Sequence, residues 1–346
     1  MEPYDYDLFR NNLLDKRQAV QELLEGAPAE ERRERLGPNG RPPAEAHLDV
    51  LETAVEEADE QTLGLCQVCH LHVDRDQLEI DYTAHICIDH LSADERRQLE
   101  FELELSQEVQ RALLPRRAPA AAGLDVAAFS RPAQIVGGDF FDFFRFADGA
   151  FGLAIADVAG HGMASGLLMA SLQTALRALA PATNSPGDLA ESLNDFFIHN
   201  IRFTSFVTLF LGKVEPALGR LTYTNAGHNP PLLYCEGANG RGPISWLEPT
   251  GPAIGLAENY FYAPETIEVT PGDSLILYTD GVTEALDGGA EEFGQGRLAE
   301  AVIANAGLPA RELVSALRLE LERFSGDLPL ADDTTIVACR FSAGGA

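Results

Sequence analysis

Between Val136 and Gly162 the chain reads Val-Gly-Gly-Asp139-Phe-Phe-Asp142, then an Asp148-Gly149 pair, then Ile-Ala-Asp157-Val-Ala-Gly-His-Gly. Asp-Gly between apolar runs is the strongest short-range hairpin signal, because a two-residue type I′ turn needs positive φ at both central positions. A turn centred on Asp148-Gly149 pairs Asp139 with Val158 and Asp157 with Phe140, which folds two aspartates onto neighbouring strands. Opposed residues of an antiparallel pair have Cβ atoms about 5 Å apart. Carboxylates that close repel each other unless a cation lies between them, and a hard divalent ion, Mg²⁺ or Mn²⁺, is the cation that suits them.

Two further aspartates stand in matching contexts. Ser274-Leu-Ile-Leu-Tyr-Thr-Asp280-Gly281 is an apolar strand that ends in an acid, and Ala331-Asp332-Asp333-Thr-Thr-Ile-Val-Ala puts its acids at the start of one. In an antiparallel sheet the start of one strand lies beside the end of its neighbour, so Asp139, Asp157, Asp280 and Asp332 can gather at one rim. A carboxylate cluster without His or Cys favours oxygen-seeking ions, and this many acids suggest two ions. Taken singly, each Asp reads as a turn or strand-end residue.

Taken together and in order, Val136-Gly-Gly-Asp139, Asp157-Val-Ala-Gly-His-Gly162, Asn225-Ala-Gly-His-Asn-Pro230, Tyr278-Thr-Asp280-Gly281-Val-Thr-Glu284 and Asp332-Asp-Thr-Thr335 resemble the SpoIIE/RsbU-type branch of the metal-dependent PPM serine/threonine phosphatases. The resemblance runs from about Leu99 to Phe341 and includes Leu103-Glu-Leu-Ser-Gln-Glu-Val-Gln-Arg-Ala-Leu-Leu-Pro115. It implies an α+β fold, an αββα sandwich with two Mn²⁺ or Mg²⁺ ions at the sheet rim. Asp157 would bridge both ions, the Val158 carbonyl would help bind one, Asp280 and Asp332 would hold the other, and Asp139 would support the site directly or through water. The implied reaction is hydrolysis of phosphoserine or phosphothreonine on a regulatory protein, an anti-anti-sigma (STAS) factor of a partner-switching pathway. Two alternatives are a catalytically silent module that sequesters a regulator and a nucleotide cyclase. Gly137-Gly-Asp-Phe-Phe resembles the GGDEF signature of the latter, but Phe140 replaces the required acid.

His161 and His228 each sit in a glycine-rich turn near the proposed rim, where a histidine can donate a proton to a leaving seryl oxygen or, more commonly, cap backbone groups.

The N-terminal third carries an independent signal. Cys66-Gln-Val-Cys69 and Cys87-Ile-Asp-His90 are CxxC and CxxH separated by seventeen residues, which is zinc-ribbon spacing for one structural Zn²⁺. His70, His72 or His85 could stand in for His90 as the fourth ligand. The setting resembles the DksA/TraR zinc-finger family, with Phe9 to Leu24 and Leu48 to Asp59 as the arms of a helical hairpin. The tip, Gly37-Pro-Asn-Gly-Arg-Pro-Pro43, has no acid of the kind those relatives use on RNA polymerase. The module therefore reads as structural or sensory.

Charge narrows the partners. Against 54 acids stand 25 basic residues, a net charge of −29, and the lysines are Lys16 and Lys213 alone. Nucleic acid and anionic membranes are repelled by such a chain, and the sequence has no signal-peptide pattern and no apolar run of ~18 residues. Three cysteines in a metal pattern and two isolated ones, Cys235 and Cys339, indicate a reducing cytoplasm. The expected organisation is a hairpin and zinc module over 1–92, a linker helix over 93–115 and a phosphatase domain over 116–346. In the linker, Ser92 is an N-cap, Leu99, Leu103, Val109 and Leu113 form an apolar stripe, and Pro115 ends the helix. Such a stripe either packs on its own domain or forms a parallel homodimer contact.

Overall fold

The computed structural model describes residues 6–21, 24, 41–74, 77–78, 84–115, 117–118, 121–160, 162–200, 206–237, 243–326, 328 and 330–342. It divides into two compact units, Met1–Glu102 and Leu103–Ala346.

In the first unit, helices α1 (Tyr6–Gln21) and α2 (Arg41–Asp59) pack together. Arg10, in the first half of α1, pairs with Asp59 at the end of α2, so the two run antiparallel as the expected hairpin. Phe9 and Leu13 meet Leu51, Ala54, Val55 and Ala58, and the same core extends to Leu63, Cys66 and Val73 of the cysteine loop. Residues 37–40 of the predicted tip lie outside the described residues; 41–43 form the first turn of α2. Helix α3 (Ala93–Leu113) starts at a capping box, in which Glu95 N–H donates to Ser92 Oγ (3.3 Å) and Ser92 N–H donates to Glu95 Oε2 (2.9 Å). No residue of α3 is fully buried; of the expected stripe Leu99, Leu103 and Leu113 are half-buried and Val109 is exposed, while Phe101 and Leu105 stand exposed beside it.

The second unit is the expected αββα sandwich. One sheet has the order β1-β10-β9-β6-β7, with β1 Leu124–Arg131, β6 Leu232–Tyr234, β7 Ile244–Trp246, β9 Ser274–Tyr278 and β10 Thr334–Phe341. The other has the order β2-β3-β4-β5-β8, with β2 Phe140–Arg145, β3 Phe151–Val158, β4 Val207–Glu215, β5 Arg220–Ala226 and β8 Glu265–Glu268. All recorded strand pairs are antiparallel. Helices α4 (Gly162–Leu179) and α5 (Pro186–Asn200) cover the second sheet through Met169, Leu172, Leu176 and Leu193. The first is covered by α7 (Gly294–Asn305) and α8 (Ala310–Ser325) through Leu298, Val302, Leu313 and Leu317; a single turn, α6 (Asp280–Thr283), precedes them.

Side-chain alternation on β2 sorts its residues between layers. Phe141 and Phe143 fill the space between the sheets, while Phe140 and Phe144 face the α4–α5 layer. Asp142, on that helix face, is buried and ion-paired with Arg177 of α4, whose Nε donates to Asp142 Oδ2 at 2.6 Å.

The β2–β3 hairpin differs from the expected register by one residue. Phe140 pairs with Ala156 and Arg145 with Phe151. The loop has three residues, not two: Gly149 N–H closes a turn on Phe146 C=O (2.9 Å), Gly149 adopts φ +83°, and Phe146 N–H reaches Ala150 C=O (3.1 Å). This is a type I turn followed by a left-handed residue, the usual three-residue hairpin. Asp148 is held away from the rim by Lys213 and by Ala150 N–H. A one-residue slip exchanges the faces of a strand. The two-residue turn would have pointed Asp139 and Asp157 to opposite faces; the observed register, continued by one residue, sets Asp139 opposite Asp157 on the inter-sheet face.

Candidate active site

Four chain segments meet at one end of the sandwich: the residues before β2, the end of β3, the turn after β9 and the residues before β10. Ile336 pairs with Tyr278, so Asp280, just past the end of β9, lies beside the start of β10, as expected from the sequence. Asp139 is buried and its Oδ2 accepts from Thr279 Oγ1 at 2.8 Å, which ties the start of β2 in one sheet to the end of β9 in the other. Thr279 Oγ1 in turn accepts from Thr335 N–H at 3.0 Å.

Two glycines make this approach feasible. A Cβ on Gly137 would come within 2.0 Å of Asp333 Oδ2, and one on Gly138 within 2.8 Å of the Val158 carbonyl oxygen and 3.4 Å of Asp157 Oδ1. Backbone therefore replaces side chain where the Val-Gly-Gly-Asp segment passes the rim. The Asp333 carboxylate secures that segment, accepting from Ala133 N–H (2.8 Å) and Gly138 N–H (2.7 Å). From α3, Gln110 holds the same segment at Gly137, and Gln107 Nε2 reaches Ile135 C=O at 3.3 Å.

Electrostatics identify what the rim lacks. Burial, then the charges of Asp280, Asp332, Asp333 and Glu284, push Asp157 up to about 7. Burial together with Asp332 and Glu284 pushes Asp280 up to about 6, and Asp139 rises well above the usual carboxylate range through burial and through Asp157 and Asp333. Among the described residues no Lys or Arg is ion-paired with Asp139, Asp157, Asp280 or Asp332, whereas buried Asp142 has Arg177. An all-oxygen set of carboxylates and one carbonyl, crowded and without a basic partner, fits hard divalent ions.

His228 is not exposed at this rim. It is buried, its Nδ1 lies 2.9 Å from Thr208 Oγ1, its N–H donates to Asn225 Oδ1 (2.8 Å), and burial lowers it to about 4. The Asn225 side chain caps the turn by accepting the His228 backbone N–H, and the neutral, enclosed imidazole is not placed to deliver protons to a ligand at the surface. His161 lies outside the described residues. Sequence reasoning gave no role to Thr279, Asp333, Gln110 or Glu284. The Thr279-Asp280 and Asp332-Asp333 doublets were a signal for the first two, since two adjacent strand-end polar residues alternate between ligand and anchor.

In the first unit, one sulfur each from Cys66, Cys69 and Cys87 and one ring nitrogen of His90 all lie within 4.8 Å of one another. Cys66 Sγ is 3.6 Å from His90 Nδ1, and Cys69 Sγ is 3.6 Å from Cys87 Sγ. Tetrahedral zinc, with Zn–S near 2.3 Å, separates its ligand atoms by roughly 3.7 Å, so the donor set fits Zn²⁺. Burial opposes the Cys66 thiolate, but N–H donors of Cys87, Cys69 and Val68 outweigh it and draw the thiol down to about 5. Two of the alternative fourth ligands are engaged elsewhere: His72 contacts Tyr6 OH and His85 faces Glu57 at 4.0 Å.

Comparison with known proteins agrees with this geometry. The family profile described as Stage II sporulation protein E (SpoIIE) matches residues 147–342. Protein IcfG of Synechocystis sp. is 32% identical over 268 residues, covering 69% of this chain and 41% of that protein. This chain thus spans about two-fifths of that relative. Phosphoserine phosphatase RsbU of Bacillus subtilis is 28% identical over 247 residues, 71% of each chain. Among solved structures, the SiaA-PP2C domain of Pseudomonas aeruginosa superposes with a TM-score of 0.64 at 24% identity, covering 72% of this chain and 100% of that domain, a likeness of fold.

Proposed function

The chain belongs to the SpoIIE family, and from that premise we propose that it is a metal-dependent protein phosphatase acting on phosphoserine or phosphothreonine of a regulatory protein. The observation that carries this reading is that the ends of β3 and β9 and the starts of β2 and β10 bring Asp157, Asp280, Asp139 and Asp332 to one end of the sandwich, with no Lys or Arg ion-paired to them among the described residues. There burial, then the charges of Asp280, Asp332, Asp333 and Glu284, push Asp157 up to about 7. Asp157, Asp280, Asp332 and the Val158 carbonyl would hold two Mn²⁺ or Mg²⁺ ions, with Asp139 in support. Bound there, such ions acidify water to give hydroxide near neutral pH and stabilise the oxygens of an in-line phosphoryl displacement.

The chain's own part is positioning. Thr279 fixes the Asp139 carboxylate, and Asp333 fixes the Gly137-Gly138 segment, where no Cβ crowds the Val158 carbonyl oxygen. The acidic rim repels a phosphorylated substrate until its charge is offset, which makes turnover depend on metal occupancy.

We read residues 1–92 as a zinc module on Cys66, Cys69, Cys87 and His90, 93–115 as a linker helix and 116–346 as the catalytic domain. The substrate class we favour is a phosphorylated STAS anti-anti-sigma protein, the setting being a cytoplasmic partner-switching pathway. Similarity to phosphoserine phosphatase RsbU supports it, and no described helix is long and apolar enough to cross a membrane. The test is release of phosphate from a panel of phosphorylated STAS proteins by the full chain with Mn²⁺ or Mg²⁺. Turnover confined to metal-loaded protein and lost in Asp157→Asn is expected; phosphate release unaffected by chelation would overturn the proposal.

A further inference from the structure

A cavity of about 720 Å³ opens in the second unit away from the acidic rim, between edge strands β1 and β2 and beneath α8. Its volume is that of a site for a small organic ligand. Its lining is unusual for this chain, because three arginines contribute to it: Arg117, just after α3, and Arg311 and Arg318, two turns apart on one face of α8.

Two of the three cations are not matched by a neighbouring acid. Arg117 and Arg311 have no ion-pair partner among the described residues, in a chain with 54 acids to 25 bases. The third, Arg318, is ion-paired along α8 with Glu322, its Nε 3.5 Å from Glu322 Oε1 and without a hydrogen bond. The acid in the lining, Asp125, is committed to the fold, its Oδ2 accepting Ala310 N–H at the start of α8 (2.8 Å). In the rest of the wall three aromatic rings stand among small and aliphatic residues: Arg318 lies over the Phe129 ring at 5.4 Å, and Phe141 and Phe143 reach the cavity from the inter-sheet core.

We propose that this cavity is a second, non-catalytic site for an aromatic anion, a flat ring carrying a phosphate or a carboxylate. Guanidinium forks bind either anion in bidentate fashion, and the phenyl groups with the stacked Arg318 supply faces for a ring. The unpaired charges of Arg117 and Arg311 offset the anion's desolvation, and the ring is what distinguishes this ligand from free phosphate. Because Arg117 follows α3 directly, an anion held by Arg117 and Arg311 together would also tie the segment after that helix to α8.

Calorimetric titration of the full chain without added Mn²⁺ or Mg²⁺, using guanosine 5′-monophosphate, benzoate and inorganic phosphate as separate probes, tests the proposal. The nucleotide and benzoate arms distinguish a phosphate from a carboxylate source. At least one of these two should bind wild type and Asp157→Asn equally and at least about tenfold more tightly than inorganic phosphate. Arg311→Ala should weaken that binding at least about fivefold, Arg311→Lys less, and Arg311→Glu with Arg318→Glu should abolish it. Should the double variant misfold by circular dichroism, the exposed single changes Arg117→Ala and Arg311→Ala decide. No binding of either ring probe, binding unchanged by the arginine variants, binding lost in Asp157→Asn, or equal affinity for inorganic phosphate would each overturn the proposal.

Discussion

Gln110 of the linker helix binds Gly137 through both backbone groups: its Nε2 donates to the Gly137 carbonyl at 2.6 Å, and its Oε1 accepts from Gly137 N–H at 3.1 Å. Gly137 is buried and stands two residues before Asp139. Removing the amide leaves two buried backbone groups unpaired, at a cost of roughly 1–3 kcal/mol.

The first prediction follows from that pair. Gln110→Glu, which cannot donate to the Gly137 carbonyl, should raise the Mn²⁺ concentration for half-maximal phosphatase activity by about three- to tenfold while leaving the rate at saturating metal within about twofold. Leu103→Glu and Val109→Glu serve as comparators on the same helix, Val109 being 54% exposed and so tolerant of charge. If all these variants and a chain starting near Gly123 give one superimposable Mn²⁺ curve, the helix is a passive tether.

Loss of charge at the rim is the second. Asp157→Asn or Asp280→Asn should lower turnover by at least about a hundredfold with secondary structure retained, because each removes a metal ligand at a strand end and not a core contact. Activity within a few-fold of wild type in either variant, measured by phosphate release at matched Mn²⁺, contradicts the assigned roles.

A third concerns pH. With Asp157 near 7 and Asp280 near 6 in the folded chain, against about 4 when unfolded, the metal-free fold binds protons more tightly than the unfolded chain. That contribution to stability is fully present below about pH 4 and is lost as pH rises through 6 to 7. Metal-free Asp157→Asn should therefore gain on wild type between pH 5 and pH 8, by about 1–3 kcal/mol after allowance for partial exposure. Mn²⁺ should stabilise wild type at pH 8 and much less at pH 5. Thermal midpoints of the two proteins that track in parallel across this range would refute the assignment of the shift to these carboxyls.

The fourth concerns zinc. Purified protein should carry about one Zn²⁺ per chain, and Cys66→Ser should lose it and loosen residues 60–92 while the second unit keeps its own thermal transition, since ligand binding and local folding are coupled in such sites. Elemental analysis is the measurement, with hydrogen exchange for the local effect. Zinc-free wild type with all three thiols freely reactive would remove the site.

By itself the sequence determined which residues are candidates for the proposed chemistry. Asp139, Asp157, Asp280 and Asp332 were legible because acids at the ends of apolar strands break the pattern that burial demands, and Cys66, Cys69, Cys87 and His90 because thiol spacing is a local property. The Ser92–Glu95 box and the α+β layering were equally local, being set by capping chemistry and by hydrophobic period. Tertiary structure alone decided how those residues meet. The hairpin register turned on whether Asp148-Gly149 closes a two- or a three-residue loop, and the three-residue form is held by Gly149 and by Lys213, far away in sequence. The enclosure of His228 depends on Thr208 and on the packing of strands around it, so a polar turn residue by pattern became a neutral buried side chain. Thr279 and Asp333 took their roles from partners some 140 and 195 positions away. Periodicity reports which face a residue occupies; it carries no information about which distant backbone group completes its hydrogen bond.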